Sequence, residues 1–378
     1  MGREKATDRD NFRFKRIELT GSLLYDLFKE YYSLQQRNIF LEFDQKYYYA
    51  KKEGSMVYIN NFRALIEMNY KDCFANRKVA DGFRKAFKGG WGSEAHTKRV
   101  GVVQDVNRLS FNSFISQLRK MNLPLDASAK IVGPRLAHTT QWGIIDPIDT
   151  PDGGNVGLHK NLTIMAAVTK GYSSYPMIRW LRMHADLLFL PECTPLIISR
   201  LCKVLVNGNW IGVLQNPQKT EQTMKTLRRI AVIPTFTSIY WQIEHNTLFI
   251  YTDAGRICRP IFYTHGQGQG TRLPRYQNDA VLEKIQNNDF TWEQLITGFA
   301  KKKDPNFSIA AGKFYDSVSE LYQVTDVKAL TASQALLDYV DTAETEGALI
   351  AMDYNIAVHS ASGAGKYTQV EIHPSLML

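Results

Sequence analysis

Apolar positions in the first third of the chain recur at helical spacing. Between Ile17 and Tyr32, the residues Leu23, Leu24, Leu27 and Phe28 fall on one face with Gly21 near the start, which predicts a helix used for packing. Arg37 to Asn60 mixes aromatics with charge, including Tyr47, Tyr48, Tyr49, Lys51 and Lys52. Exposed, such a stretch would be a stacking platform for single-stranded nucleic acid, but aromatics at this density more often belong to a packed helix or strand. Asn61 to Lys85 again reads as helix, with Phe62, Leu65, Ile66 and Phe83 available for burial. The glycines of Gly89-Gly90-Trp91-Gly92 break it, and a loop follows from Ser93 to Val103 carrying His96, Lys98 and Arg99. From Gln104 to Asn122, Val106, Leu109, Phe114 and Leu118 stand against Arg108, Arg119 and Lys120, a helical segment with a basic side.

Beyond Leu162 the period changes. A short apolar run, Leu162 to Val168, leads into strands alternating with turns as far as about Tyr263. Leu201 to Val206 closes on Asn207-Gly208-Asn209 and Trp210 to Val213 answers it, a hairpin signal. Gln222 to Arg229 reads as helix, and Arg228 and Arg229 at its end are either nucleic-acid contacts or cations complementing the helix dipole. Ser238 to Tyr251 reads as strands leading to a tight turn at Asp253-Ala254-Gly255. Gln267 to Gly270 lacks the Lys-Ser/Thr ending of a phosphate loop and reads as a connector. Lys301 to Lys303 reads as a solvated run and Ser360 to Lys366 as a mobile small-residue loop. The acidic stretch Asp338 to Glu346 precedes an apolar strand, Ala348 to Met352. Helices early and antiparallel strands late make the fold class α+β, not a doubly wound sheet.

Composition narrows the function classes. At 378 residues and 44% hydrophobic, the chain has room for two or three domains with real cores. Its 46 Lys and Arg against 37 Asp and Glu give a net charge of +9, a modest lean towards a polyanion partner. Cys73, Cys193, Cys202 and Cys258 form no CxxC pair, so neither a zinc site nor a disulfide framework is expected, and reduced thiols fit an intracellular compartment. No apolar run approaches a membrane span, and the charged start lacks the apolar core of a signal peptide. A hydrolase is a poor fit, because neither GxSxG nor HExxH occurs.

Arg135 to Asn161 concentrates turn chemistry, charge and aromatics. Pro147, Pro151, Gly153 and Gly154 exclude helix and predict a stiff, turned loop. Such a loop can fix Asp149 and Asp152 beside Arg135, His138, Gln141 and Trp142; the plainer reading is a surface turn between two strands, with the Asp residues capping it. Asp146, Asp149 and Asp152 are spaced by threes, but the intervening prolines argue against a metal loop.

Thr150-Pro151-Asp152-Gly153, Gly157-Leu158 and Lys160-Asn161-Leu162 resemble the fork region of the second-largest subunit of multisubunit DNA-directed RNA polymerases, with its hallmark TPEG turn. Asp8-Arg9-Asp10-Asn11-Phe12 with Lys15, Arg16 and Gly21 resembles that family's DKDHFGKKRL…G segment, and Trp91-Gly92 and Arg99 to Val102 resemble its NWG and RAGV. Thr252 to Arg256 with Arg259-Pro260 resembles FTDAGR…RP, and Glu371 to Ser375 resembles EIHPS. These motifs are closer to the archaeal, eukaryotic and large-DNA-virus branch than to the bacterial one.

The resemblance implies a central piece of a much larger subunit, whether a partial sequence or a split-gene product. It divides the chain into the end of a protrusion-like helical region (1–88), a fork-like domain (89–165) and strand-rich external domains (166–378) ending where the hybrid-binding region begins. Gln104 and Asp152 then stand near the incoming nucleotide and assist its loading, with Asp152 one methylene shorter than the family's Glu. Lys98, Arg99, Arg108, Arg119 and Arg135 are the implied nucleic-acid contacts. No catalytic residue is expected in this piece. The Mg²⁺ of the complete enzyme would be held mainly by the largest subunit. The partners implied are that subunit, smaller assembly subunits, DNA template, nascent RNA and NTPs, without a membrane. The compartment would be the nucleus for a cellular eukaryotic source, and the cytoplasm or virion for a viral one. Two other classes fit the residues: a stand-alone nucleic-acid-binding module and an assembly scaffold without catalysis.

Overall fold

A computed structural model of the chain describes residues 7–52, 61–125, 127–128, 130–267, 271–274, 283, 285–298, 330, 333–359 and 367–377. The expectations for Gly268 to Gly270, Lys301 to Lys303, Ser360 to Lys366 and the end of the aromatic stretch, residues 53–60, lie outside the described residues. The chain divides into two compact units, residues 18–126 and residues 1–17 with 127–378.

The first of these units is helical. Its long helix α1 (Thr20–Lys52) runs on through the aromatic stretch because no Gly or Pro interrupts it after Gly21. Leu27 and Tyr31 are buried with Ala86 and Trp91, and Leu23, Leu24, Leu34 and Phe83 pack against them. A helix can turn only one stripe inward, so consecutive tyrosines cannot all be buried. Tyr48 and Tyr49 accordingly stay exposed, contrary to the packed role expected for them.

The helix expected over Asn61 to Lys85 is two, α2 (Phe62–Cys73) and α3 (Lys78–Phe87), parted by a tight turn in which the Ala75 amide donates to the Asp72 carbonyl. Glycine at position 82 in α3 matters sterically: a Cβ there would lie 2.4 Å from the Tyr31 ring. Of the helix expected from Gln104 to Asn122, only α4 (Phe111–Leu118) forms, and a short strand β1 (Lys120–Asn122) follows it. Ser110 and Ser113 make a reciprocal capping box that starts α4 there. The preceding residues form no helix and are tied to α4 by Gln117, which accepts from the Asn107 amide at 2.7 Å and donates to the Asp105 carbonyl at 2.8 Å. Val106, Leu109 and Leu118, expected on an inward face, are exposed.

The second unit holds the strands. Strands β2 (Ile145–Asp146) and β3 (His159–Leu162) pair antiparallel around the proline loop, and β4 (Ala167–Val168) follows. Helix α5 (Tyr175–His184) leads to β5 (Leu188–Phe189), α6 (Pro195–Arg200), β6 (Cys202–Val206), β7 (Asn209–Leu214), α7 (Pro217–Arg229), β8 (Ser238–Gln242) and β9 (Thr247–Tyr251). A five-stranded sheet results, in the order β5-β7-β6-β9-β8, antiparallel except for the β6–β9 pair. The Asn207-Gly208 hairpin forms where expected, with Val206 opposite Asn209. Leu181 of α5 and Met224 of α7 join Val204, Ile239, Leu248 and Ile250 of the sheet in one apolar core.

Strand β10 (Ile257–Gln267) organises a second sheet. It pairs antiparallel with β4, β11 (Thr271–Pro274), β12 (Leu337–Asp341) and β14 (Gln369–Val370), and β14 pairs parallel with β13 (Ile350–Ala351). The acidic stretch from Asp338 is thus strand β12 and the short helix α8 (Thr342–Glu346), and it is mostly buried. Its charges answer α7. Arg228, 1% exposed, donates from Nη1 to Glu344 Oε2 and to the Thr237 carbonyl, each at 2.7 Å, and its Nη2 lies 3.4 Å from Asp338. Arg229 forks onto Asp338 at 2.6 and 2.9 Å. Neither arginine is a surface cation, so the nucleic-acid reading of the pair is replaced by a structural one.

Burial raises the Asp338 pKa, but Arg229 and Arg228 outweigh it and hold the carboxyl at about 2. A folded pKa below the unfolded value stabilises the fold above about pH 4, and that contribution disappears as pH falls towards 2. Asp338→Asn leaves two guanidiniums under-compensated and costs roughly 3–5 kcal/mol; denaturant melts at pH 7 and pH 3 should show the variant losing less on acidification than the wild type. Gly82→Ala costs roughly 1–3 kcal/mol through overpacking against Tyr31, read in the same melts.

Candidate functional site

In the helical unit, the loop after Trp91 is anchored by a residue that the sequence did not single out. Glu30, on α1, accepts from the Ser93 amide at 2.9 Å, the Glu94 amide at 3.1 Å, the Thr97 hydroxyl at 2.7 Å and the Ser93 hydroxyl. Burial pushes its carboxyl pKa up, yet these donors outweigh it and leave it below the ordinary value. The Arg99 amide donates to the Trp91 carbonyl at 3.2 Å and closes the loop. The Arg99 side chain is exposed, and its guanidinium forks onto Glu18, with Nη2 to Oε1 at 2.9 Å. Lys98 and Arg108 are exposed, and Arg119 is half-buried at the end of α4. Gln104 is exposed and donates to the Gly101 carbonyl at 2.8 Å.

In the strand-rich unit, the proline loop is held by side chains bonded to its backbone. Asp146 is the structural carboxylate, accepting from the Ile148 amide at 2.8 Å. Asn161 donates to the Asp149 carbonyl at 2.9 Å, and the Thr150 hydroxyl accepts from the Gly157 amide at 3.1 Å. Gly157 has φ of +71°, and a Cβ there would lie 2.3 Å from the Arg135 carbonyl, so only glycine passes. Asp152 begins the short 3₁₀ turn Gly153–Asn155 but makes no side-chain capping bond to it, and it is exposed. Its carboxylate is not spent on the turn. Arg135 donates to the carbonyls of Gly154 at 2.6 Å and Val156 at 3.0 Å.

The amino-terminal segment straps onto this same unit. His138 Nδ1 accepts from the Thr140 amide at 3.2 Å, which leaves Nε2–H to donate to Asp8 at 2.7 Å. The Asp10 amide and then His138 hold the Asp8 carboxyl below its ordinary pKa. The Phe12 amide donates to the Thr140 hydroxyl at 3.0 Å, Arg13 lies 4.6 Å from the Phe249 ring centroid, Arg16 pairs with Asp253, and the Ile17 amide donates to the Gly255 carbonyl at 2.7 Å. The segments around Asp8, His138 and Thr252, distant in sequence, therefore meet. Lys160 is buried beside them, where burial, and then Lys15, lower the pKa of its amine while Asp10 opposes.

Among the described residues, no three His, Cys, Asp or Glu side chains are grouped to hold a metal, and no helix is long and apolar enough to cross a membrane. The four cysteines are free thiols; burial pushes Cys202 up to about 11 and Cys258 higher still.

Comparison with known proteins agrees with this arrangement of motifs. A family model described as RNA polymerase Rpb2, domain 3, matches residues 104–168, and one described as RNA polymerase Rpb2, domain 4, matches residues 204–265. DNA-directed RNA polymerase II subunit 2 of Arabidopsis thaliana is 28% identical over 100% of the chain, which spans 28% of that protein. DNA-directed RNA polymerase II subunit RPB2 of Schizosaccharomyces pombe is 35% identical over 79% of the chain and 24% of its own length. DNA-directed RNA polymerase subunit 2 of Acanthamoeba polyphaga mimivirus is 26% identical over 98% of the chain and 28% of its own length. The chain matches a central part of proteins named as the second-largest subunit of DNA-directed RNA polymerase and spans less than a third of the length of these relatives.

The positioning residues Glu18, Glu30 and Gln117 carried no signal in the sequence, because each acts through a partner many residues away or through loop backbone. Glu30→Gln should loosen the Ser93 to Thr97 loop: amide exchange there rises roughly tenfold, matching the loss of about 1–2 kcal/mol of charge-assisted bonding at a partly exposed site. Unchanged exchange would refute the anchoring role.

Proposed function

We propose that the chain supplies the fork-like region and external scaffold of a second-largest subunit in a DNA-directed RNA polymerase, taking part in DNA-templated RNA synthesis from NTPs. One observation carries the reading. The Thr150 to Gly153 turn, inside the stretch matched by Rpb2 domain 3, is pinned by Thr150, Arg135 and Asn161, while the Asp152 carboxylate is exposed and makes no capping bond. A capping Asp would be consumed by its own turn; this one is available to a ligand.

On this reading the functional divisions are 1–88, 89–165 and 166–378. Gln104 and Asp152 attend nucleotide loading, and Lys98, Arg99, Arg108 and Arg119 meet nucleic-acid phosphates, Arg99 by exchanging Glu18 for a phosphate. The bond-forming step, with two Mg²⁺ ions clamping the attacking and leaving oxygens, belongs to the largest subunit. That subunit, smaller assembly subunits, template DNA and nascent RNA are the partners. The site of action is the nucleus in a eukaryotic cell, or the cytoplasm or virion for a virus, and the chain by itself does not polymerise.

In a reconstituted polymerase carrying the whole subunit, Gln104→Ala and Asp152→Asn should each raise the NTP KM by roughly 10-fold while changing the rate at saturating NTP by less than about 3-fold. Lys98→Ala and Arg108→Ala should weaken template binding and flatten its salt dependence, the log–log slope falling by roughly one for each phosphate no longer engaged. An unaltered KM in both former variants overturns the nucleotide assignment, and Mg²⁺-dependent RNA extension by the purified chain overturns its inactivity alone.

A further inference from the structure

Arg135 has the charge of a nucleic-acid contact, but its surroundings point to a different task. Its Nε donates to the Ile131 carbonyl at 3.1 Å, Nη2 to the Ala127 carbonyl at 2.9 Å, and Nη1 to the Gly154 and Val156 carbonyls at 2.6 and 3.0 Å. These four acceptors are neutral backbone oxygens drawn from two segments, one preceding Arg135 and one within the proline loop. A planar guanidinium suits this, since its donors leave in fixed directions that a flexible ammonium cannot reproduce. The main chain of Arg135 takes part as well: Gly157 packs so closely on the Arg135 carbonyl that a Cβ would reach 2.3 Å. Four of the five N–H donors are thus spent on carbonyls, so a bidentate phosphate contact would have to break bonds that hold the loop together.

We propose that Arg135 is a positioning residue for nucleotide loading: it clamps the Gly153 to Val156 backbone, and through it keeps Asp152 in place, without contacting nucleic acid. The proposal rests on the reading of Asp152 as the group beside the incoming nucleotide. It makes the loading carboxylate the tip of a turn whose far side is tied down, so that the precision of the carboxylate depends on a residue 17 positions earlier.

The test is a double-mutant cycle in the reconstituted polymerase with the full-length subunit, using R135A, R135K, D152N and R135A/D152N. Asp152→Asn alone checks the underlying reading. Where it raises the NTP KM, R135A and R135K should both raise it by roughly 10-fold, because sub-ångström placement is lost with or without the charge. R135A/D152N should be no worse than the more impaired single variant, as expected when one residue acts through the other. Template affinity and its salt slope should stay at wild-type values. Rescue of KM by R135K, additive losses in the double variant, or a salt slope reduced by about one in R135A would overturn the proposal. An unchanged KM in D152N removes the reading of Asp152 and the proposal with it. If R135A does not assemble, R135K decides the same question, since it keeps the charge and removes the fork.

Discussion

Buried charge is the constraint around which the strand-rich unit is arranged. Arg228, Arg229, Asp338, Asp341, Glu344 and Arg256 come from helix α7, strand β12, the short helix α8 and the residue just before β10, and nearly all are shielded from water. An isolated buried ion costs several kcal/mol, so each must find its partner in the folded chain and nowhere else. Satisfying them fixes α7 against β12 and α8, and joins the five-stranded sheet to the sheet built on β10: Asp341 takes Arg256 at 2.9 Å and Ser238, from β8, at 2.8 Å. The network is not uniformly favourable. Burial raises the Glu344 pKa more than Arg228 and Lys225 lower it, whereas Asp338 is held down by its two arginines. The two carboxylates thus oppose one another in acid, Asp338 weakening the fold on protonation and Glu344 easing it.

On that platform the amino-terminal strap and the proline loop are held mainly by hydrogen bonds and ion pairs, with little apolar burial. Ile17 and Arg16 grip the turn after β9, Arg13 lies over aromatic rings of the sheet and pairs with Glu346 at 3.4 Å, and Asp8 and Phe12 hold the His138 to Thr140 turn. Such bonding is directional and specifies geometry more than it adds stability. A loop held in this way can present a carboxylate at its tip with little settling on ligand binding.

The helical unit applies the same principle with fewer parts. One carboxylate, Glu30, gathers the loop after Trp91, and one amide side chain, Gln117, holds the segment after Gln104. The apolar residues of that segment, Val106, Leu109 and Leu118, face solvent although their spacing resembled a helix face. Periodicity recorded the side-chain pattern but could not show that Ser110 would cap a helix in mid-segment.

By itself the sequence determined the features set by short-range chemistry. The Asn207-Gly208 hairpin follows from its turn residues, the non-helical loop from Pro147 and Pro151, the first turns of α1 from the apolar spacing of Leu23 to Phe28, and the α+β class from the change of period after Leu162. The ordered motifs also made the polymerase resemblance legible, since each turn has few residue types that can form it. The tertiary structure alone decided which charges are structural. Arg228 and Arg229 look like any basic helix end until β12 and α8, more than 100 residues later, bring acids against them. Arg135 likewise reads as a free cation until carbonyls from the preceding segment and from within the loop close on it. A side chain's charge is written in its own residue, but its partner is chosen by the fold, and long-range pairing leaves no periodic trace in the chain.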